Sequence, residues 1–320
     1  MNIIKLFILS FILMGCGSVQ NNTNKTETGK VEFTIKPSII VLGNVQDGGS
    51  PHIGCNKKCC KELFTNPDKN RMVTSLGLID PTENKSWIIE ASPDYPRQAK
   101  ILSNYCNYNE NPNGIFLTHA HIGHYAGLMY LGKESLNASN IPVYAMTRMK
   151  GFLIQNGPWS QLVNLKNIKL NNIDHLQKST ISKNISITPF LVPHRDEFSE
   201  TVGYKITGPS KSALFIPDID KWSKWNKSII DEIKNVDIAF IDATFYDKNE
   251  INNRDISEIP HPFVIETMAL FNEFPLQEKQ KIHFIHMNHT NPLLDSTSNE
   301  SKIVLSKGFN IARAFQIIEL

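Results

Sequence analysis

The sequence has no excess of charge of either sign. Its 320 residues carry 33 basic and 31 acidic side chains, a formal net charge of +2, and no block of lysine or arginine stands out. A protein that binds nucleic acid needs a concentrated basic surface, so the composition gives no reason to expect such a partner. Hydrophobic residues make up 41% and charged residues 20%, which is typical of a globular protein and argues against a disordered one.

The chain begins with an apolar run that is too short to span a bilayer as a mature helix. Leu6–Met14 is interrupted only by Ser10 and follows a lysine, whereas a spanning helix needs about 20 apolar residues. A charged start followed by a short apolar run indicates a secretory signal. The order Leu13-Met14-Gly15-Cys16 resembles a bacterial lipobox, in which the cysteine is lipidated and becomes the new N-terminus.

This N-terminal pattern predicts an exported lipoprotein of the bacterial cell envelope, which contacts the membrane only through its lipid anchor. An ordinary signal peptide with an incidental cysteine is the alternative. Gly17–Lys30 is rich in Asn, Thr and Ser, a composition typical of a flexible tether. The predicted layout is a signal peptide over 1–15, a tether over 16–33 that starts at the lipidation site Cys16, and one folded domain over 34–320.

Cysteine is scarce, with five residues in the whole chain. If Cys16 carries the lipid, four remain, namely Cys55, Cys59, Cys60 and Cys106. An exported chain permits disulfides, but three cysteines so close together are also typical of a structural zinc site. A zinc site, a disulfide that involves Cys106 and free thiols are the alternatives.

Short apolar runs alternate with helical patterns along the chain, and no fixed period indicates a repeat protein. Four of the predicted strands end just before a histidine or an aspartate. These strands are Gly114–Leu117, Ile185–Val192, Ala213–Ile216 and Lys281–Ile285, and the residues that follow them are His119, His194, Asp218 and His286. Side chains at the ends of strands that lie side by side in one sheet converge, so we expect these four to meet.

Three histidines are crowded into Thr118-His119-Ala120-His121-Ile122-Gly123-His124. Neutral imidazole is the commonest protein ligand of zinc and also suits iron and manganese. His119 and His121 can face one ion from a turn, and His124 can approach from the helix that follows. The alternative is a set of loop histidines without a metal.

The order of these motifs resembles the metallo-β-lactamase superfamily, from about Ser38 to Asn291. Further motifs resemble the group that contains pyrroloquinoline quinone biosynthesis protein B and the cyclic phosphodiesterases of phosphonate metabolism. They are Gln46-Asp47-Gly48-Gly49, Ser92-Pro93-Asp94, Gly123-His124-Tyr125-x-Gly127-Leu128 and His286-x-Asn288-x-Thr290-Asn291-Pro292. The resemblance implies an α/β fold, a four-layer αβ/βα sandwich, with metals at one edge between the sheets.

The resemblance also implies a ligand set. His119, His121 and His194 would hold a first ion, Asp218 would bridge to a second, and His124 with His286 would complete the second site. The superfamily usually has an aspartate where this chain has Gly123. Because glycine has no side chain, we expect the second site to lack a charged ligand, to bind more weakly or to be absent, and to tighten in Gly123→Asp.

Three further roles follow from the same resemblance. Asp242, in Asp242-Ala243-Thr244-Phe245, would orient the ligands, although it is also a possible strand-end cap. His261 would be the general acid, with a surface histidine as the alternative. His289 would join the three clustered cysteines at a structural zinc, unless His286 and His289 exchange roles.

The expected function is hydrolysis of a small ester, phosphodiester or lactone by metal-activated water. The cofactor would be zinc, as one or two active-site ions and one structural ion, with iron or manganese as other candidates for the active site. The first alternative is an iron-dependent oxygenase related to quinone cofactor biosynthesis. The second is a non-catalytic lipoprotein that binds a metal or a ligand.

Overall fold

Two seven-stranded sheets make up the centre of the folded domain. The computed structural model describes residues 36–106, 111–250 and 259–320. The predicted signal peptide, the tether and the lipidation site Cys16 lie outside the described residues. Within the described ranges, no helix has both the length and the apolar character that crossing a bilayer requires.

The first sheet contains strands from the N-terminal half and the C-terminal strand. They are β1 (Ser38–Gly43), β2 (Ser75–Asp80), β3 (Lys85–Ile89), β4 (Gly114–Phe116), β5 (Ile141–Ala145), β6 (Ile168–Asn172) and β14 (Ile317–Glu319), in the spatial order β14-β1-β2-β3-β4-β5-β6. β1, β2 and β3 pair antiparallel, whereas β3 to β6 pair parallel, so the sheet is mixed.

The second sheet is built in the same way from the rest of the chain. Its strands are β7 (Ser179–Thr180), β8 (Ser186–Leu191), β9 (Val202–Thr207), β10 (Ser212–Ile216), β11 (Ile238–Asp242), β12 (Ile282–Ile285) and β13 (Asn310–Ile311), in the order β13-β12-β11-β10-β9-β8-β7. β10 to β13 pair parallel, and β8, β9 and β10 pair antiparallel.

Helices pack on the outer faces of the two sheets and also occur in the segments that connect the strands. They are α1 (Lys58–Lys61), α2 (Tyr95–Ser103), α3 (Ile122–Tyr125), α4 (Thr147–Gln155), α5 (Trp159–Asn164), α6 (Ile229–Lys234), α7 (Val264–Leu270), α8 (Leu276–Gln280) and α9 (Asn299–Ser306). The helix from which His124 was expected to approach is a single α-helical turn, α3, followed by a 3₁₀ helix over Ala126–Leu131.

The alternation of side chains between the two faces of each strand explains why the fold has four layers. In β1, Ile39 and Val41 pack in the seam between the sheets with Tyr204 of β9, whereas Ile40 and Leu42 pack in the cluster that contains α2 and α4. A second outer cluster joins the other sheet to α6, α7 and α9. Successive side chains of a strand point to opposite faces, so a strand that is apolar throughout is buried on both sides. The result is the expected four-layer αβ/βα sandwich.

Strand direction determines where the polar strand ends meet. β1 runs parallel to β3 because both pair antiparallel with β2, and β8 runs parallel to β10 because both pair antiparallel with β9. The carboxyl ends of β1, β3 and β4 therefore share one edge of the first sheet. Those of β8, β10, β11 and β12 share one edge of the second sheet.

Candidate metal centre

The strand-end residues meet between the two sheets, as the resemblance implied, and not in one sheet, as the strand ends alone suggested. His119 follows β4 of the first sheet, whereas His194, Asp218 and His286 follow β8, β10 and β12 of the second. The packing of the two sheets therefore assembles the set. His286 has a left-handed backbone, with φ of 64°, which a residue other than glycine rarely adopts unless its surroundings fix it.

His119, His121, His194 and Asp218 form one group, called here the first donor group. His121 Nδ1 lies 2.8 Å from His119 Nε2 and 3.2 Å from His194 Nε2. Asp218 Oδ2 lies 3.4 Å from His119 Nε2 and 3.2 Å from His194 Nε2. Ligands of a tetrahedral zinc bound at 2.0–2.1 Å are separated by about 3.3 Å, so these spacings fit one ion.

His124 and His286 form a second donor group together with Asp47. Asp47 Oδ1 lies 3.0 Å from His124 Nε2 and 3.1 Å from His286 Nε2. Asp218 Oδ2 lies 3.8 Å from His124 Nε2, so this one carboxylate oxygen faces both groups. His286 belongs to this centre and not to the cysteine cluster, which answers the question that the sequence left open.

The expectation that the second group lacks a charged ligand is wrong, because Asp47 supplies a carboxylate there. Gly123→Asp is also not expected to tighten the site. A Cβ added to Gly123 would lie 2.5 Å from Asp47 Cγ and 2.6 Å from Asp47 Cα, closer than real Cβ contacts. A side chain at position 123 would therefore collide with Asp47.

Most of the histidines have a polar contact at the ring nitrogen that faces away from their donor group. His119 Nδ1 lies 2.8 Å from Thr118 Oγ1, and His194 Nδ1 lies 3.3 Å from Asp220 Oδ1. His286 Nδ1 lies 3.0 Å from Thr244 Oγ1, and His124 Nδ1 lies 3.5 Å from Glu90 Oε1. Such contacts fix the ring orientation and leave the other nitrogen for an ion.

The pKa shifts of the centre indicate a site for a cation. Burial raises the pKa of Asp218, but His194 and His261 outweigh it and hold that pKa well below the usual value. Burial lowers the pKa of His124, but Asp47 and Glu90 raise it well above its ordinary value. His124 therefore binds a proton between two carboxylates when no metal is bound, and a divalent ion would replace that positive charge.

An orphaned atom supports the same conclusion. Within the described ranges, His124 Nε2 is buried and makes no hydrogen bond, although Asp47 Oδ1 is only 3.0 Å away. Two atoms that lie this close without the geometry of a hydrogen bond can be ligands of the same ion. Buried polar atoms normally have a partner, so the site fits a metal ion.

His261 and Asp242 lie beside Asp218. His261 Nδ1 is 2.8 Å from Asp242 Oδ2 and 3.2 Å from Asp218 Oδ1. Asp242 also accepts hydrogen bonds from Ile219 N at 3.1 Å and from Thr244 N at 2.8 Å. Because both oxygens of Asp242 are already occupied by donors, this carboxylate suits the orientation of His261 and of the loop after β10.

Cys55, Cys59, Cys60 and His289 form a separate group between α1 and the turn after β12. The Sγ atom of Cys59 lies 3.9 Å from the Sγ atoms of Cys55 and Cys60. Thiolates bound to one zinc at about 2.3 Å are separated by about 3.8 Å, so the adjacent cysteines do fit a tetrahedral ion. The ring of His289 stacks on His52 with centroids 4.3 Å apart.

The disulfide alternative is wrong for the described cysteines, which are all free. Cys106 is buried, with its Sγ 3.3 Å from the carbonyl oxygen of Lys85. In the metal-free cluster, burial and the neighbouring thiols raise the pKa of Cys59 to about 12. A bound cation would reverse that shift, because it favours the thiolate.

Sequence reasoning missed several polar residues at the same sheet edges. Asp47 follows β1, Glu90 follows β3 and Asp220 lies two residues after Asp218. A usable signal existed, because each lies just beyond a strand. Glu90, with φ of 76°, also has a left-handed backbone.

Comparisons with known proteins agree with this geometry. A family model described as "Beta-lactamase superfamily domain" matches residues 86–287. The chain is 26% identical over 303 residues to the coenzyme PQQ synthesis protein B of Xanthomonas euvesicatoria pv. vesicatoria, with 86% of this chain and 97% of that protein covered. It is 25% identical over 295 residues to the protein of the same name from Gluconobacter oxydans, with coverage of 86% and 95%.

Two solved structures share the fold at low identity. Zn²⁺-bound PqqB from Methylobacterium extorquens has a TM-score of 0.71 at 19% identity and covers 88% of this chain and 100% of its own. A diphosphatase from the PhnP family has a TM-score of 0.60 at 19% identity, with coverage of 89% and 97%. Both likenesses concern the fold.

Proposed function

Since the chain belongs to the beta-lactamase superfamily, we propose that it is a metal-dependent hydrolase of a small ester, phosphodiester or lactone. The observation that carries the proposal is the position of Asp218. Its Oδ2 atom lies 3.2 Å from His194 Nε2 and 3.8 Å from His124 Nε2. One carboxylate thus faces two sets of imidazole donors, an arrangement that would hold one or two divalent ions.

An ion held by these donors would supply a nucleophile at neutral pH, because a bound divalent ion lowers the pKa of water to about 7. The residues of the chain orient the reacting groups and supply a proton. Asp242 Oδ2 lies 2.8 Å from His261 Nδ1, and the charges of Asp242 and Asp218 raise the pKa of that imidazole, which favours its protonated form. His261 would give this proton to the oxygen of the leaving group, the role of a general acid.

A second candidate function has one specific observation in its favour. Several relatives are named as coenzyme PQQ synthesis protein B, and histidine and carboxylate donors also suit iron. This favours an iron-dependent oxidation of a small molecule as the alternative. The identity of the metal separates the two, because zinc has no redox chemistry.

The test uses the full-length protein, purified in mild detergent. Turnover of p-nitrophenyl esters, bis(p-nitrophenyl) phosphate and simple lactones is measured before chelation, after chelation and after return of zinc, manganese or iron. We expect chelation to abolish hydrolysis and zinc to restore it. His119→Ala should be inactive, and His175→Ala, a change at an exposed histidine that belongs to neither donor group, should match the parent.

Oxygen uptake that appears only with iron would support the oxygenase instead. Metal-loaded protein that turns over no substrate of any class would count against the hydrolase.

A further inference from the structure

Asp47 occupies the space beside α3 that a side chain at position 123 would fill. Gly123 is the second residue of α3. A Cβ placed on it would lie 2.5 Å, 2.6 Å and 2.7 Å from Asp47 Cγ, Cα and Cβ, respectively. Position 123 therefore has to be glycine as long as Asp47 stays where it is.

Backbone hydrogen bonds between the segment after β1 and Met287 hold Asp47 in this space. Gln46 N donates to the carbonyl oxygen of Met287 at 2.8 Å, and Met287 N donates to that of Asn44 at 2.8 Å. These bonds fix the segment after β1 against the residue next to His286. The position of Asp47 is therefore coupled to that of a histidine 239 positions away.

The surroundings of Asp47 match those of a metal ligand. Its Oδ1 atom lies 3.0 Å from His124 Nε2 and 3.1 Å from His286 Nε2, and these two histidines are fully buried. On their far sides, His124 is backed by Glu90 and His286 by Thr244. The three inward atoms thus form one donor group, and Asp218 Oδ2 lies 3.8 Å from His124 Nε2 on its border with the first donor group.

We propose that Asp47 is the carboxylate ligand of a second divalent ion, held with His124, His286 and the shared Asp218. In this arrangement the charged ligand comes from the turn after β1, and the absence of a side chain at Gly123 leaves room for it. This inference deepens the proposed function, since it completes the same centre.

The test measures bound metal and needs no substrate. Metal-free full-length protein carrying Cys59→Ser, which disables the cysteine group, is titrated with zinc by calorimetry, and bound zinc is counted by mass spectrometry. We expect two ions per chain. Asp47→Asn keeps the shape but removes the charge, and should lose one ion or weaken its binding at least tenfold. Asp231→Asn, at an exposed position on α6, should bind two.

Gly123→Ala gives an independent test, because it adds a methyl group and removes no donor atom. The methyl group should displace Asp47 and cost the second ion, while the first ion still binds as in the parent. Gly151→Ala in α4 is the matched control, since among the described residues the nearest atom to its added Cβ, apart from the helix backbone, is Gln155 Nε2 at 4.0 Å. Retention of the first ion in both variants shows that the fold is intact.

Two results would overturn the inference. The first is a parent protein that binds one ion and whose His124 is shown by ¹⁵N NMR to be protonated between Asp47 and Glu90. The second is an Asp47→Asn variant that binds two ions as tightly as the parent. Either result leaves metal-dependent hydrolysis possible. Conversely, two ions without hydrolysis would refute the proposed function and leave the role of Asp47 standing.

Discussion

The imidazole of His261 lies between the donor groups, with ring centroids 5.6 Å from His194 and 6.4 Å from His286. Burial lowers its pKa, but the charges of Asp242 and Asp218 outweigh burial and raise it. A protonated histidine that is fixed by a carboxylate can donate to a leaving group. It is not needed to hold an ion, because each donor group is complete without it.

His261→Gln should therefore separate catalysis from metal binding. For a substrate with an alkoxide leaving group, kcat should fall by about 100-fold or more, the usual contribution of a general acid. A p-nitrophenolate leaving group needs little protonation, so its kcat should change far less. Metal content should equal that of the parent. An equal loss for both substrates, or a loss of metal, would assign His261 a purely structural role.

At the scale of elements, the thiol cluster joins the segment between β1 and β2 to the turn after β12. The turn lies directly after His286 of the second donor group. Its backbone is also bound to the segment after β11, because Asn288 N donates to the carbonyl oxygen of Thr244 at 2.9 Å. An ion in the cluster would hold these segments together, since binding to the folded state alone stabilises that state.

Cys59→Ser should lose one metal ion per chain and lower the melting temperature. A loss of a few kcal/mol corresponds to several degrees, because 1 kcal/mol shifts Tm by about 2 °C in a domain of this size. Cys106→Ser is the matched control, since it changes a buried thiol outside the cluster and should retain every ion. Unchanged metal content in Cys59→Ser would contradict a structural zinc.

Strand β12 contains a buried histidine whose pKa differs between the folded and the unfolded chain. Burial lowers the pKa of His283 to about 4, and its Nδ1 makes no hydrogen bond within the described parts of the chain. The unfolded chain binds this proton at a pKa of about 6.5. The unfolded state is therefore favoured as the pH falls from about 6.5 to 4, and stability is lost over that window.

His283→Leu should remove this contribution to acid sensitivity. The free energy of unfolding of the parent should fall by up to about 3 kcal/mol more than that of the variant between pH 6.5 and 4. Urea unfolding at several pH values measures the difference, and effects of metal loss cancel because both proteins share the same sites. His175→Leu, at an exposed position, should follow the parent. Parallel curves for parent and His283→Leu would refute this account.

At the scale of the whole molecule, the centre exists only when the two sheets are packed together. Tyr204 of β9 donates its hydroxyl hydrogen to the carbonyl oxygen of Leu117, and Val202 N donates to that of Thr118 at 3.2 Å. These bonds cross the seam directly before His119. The apolar seam therefore positions one half of the ligands relative to the other.

The N-terminal residues support a proposal about where this domain works. The charged start, the short apolar run and Gly15-Cys16 lead us to propose export and lipid anchoring. Cys16→Ser should release the protein from the membrane fraction or leave an unprocessed precursor, as seen by fractionation and gel migration. Cys106→Ser should remain in the membrane fraction. A Cys16→Ser protein that fractionates and migrates like the parent would contradict a lipoprotein.

The sequence by itself determined the secondary structure around the centre and most of its donors. Strand patterns ending at His119, His194, Asp218 and His286 are local signals, because alternation and strand ends depend on neighbouring residues. The resemblance of these motifs to a known family supplied the four-layer arrangement, which periodicity alone does not give.

The tertiary structure decided which distant residues share a site. It placed Asp47 in the space at Gly123, assigned His286 and His289 to different groups, and kept Cys106 away from the other thiols. Sequence patterns contain no distance between residues 76 or 239 positions apart, as Asp47 is from Gly123 and His286. Those distances arise only when two sheets with buried apolar faces pack together, since that packing brings their polar ends to a common edge.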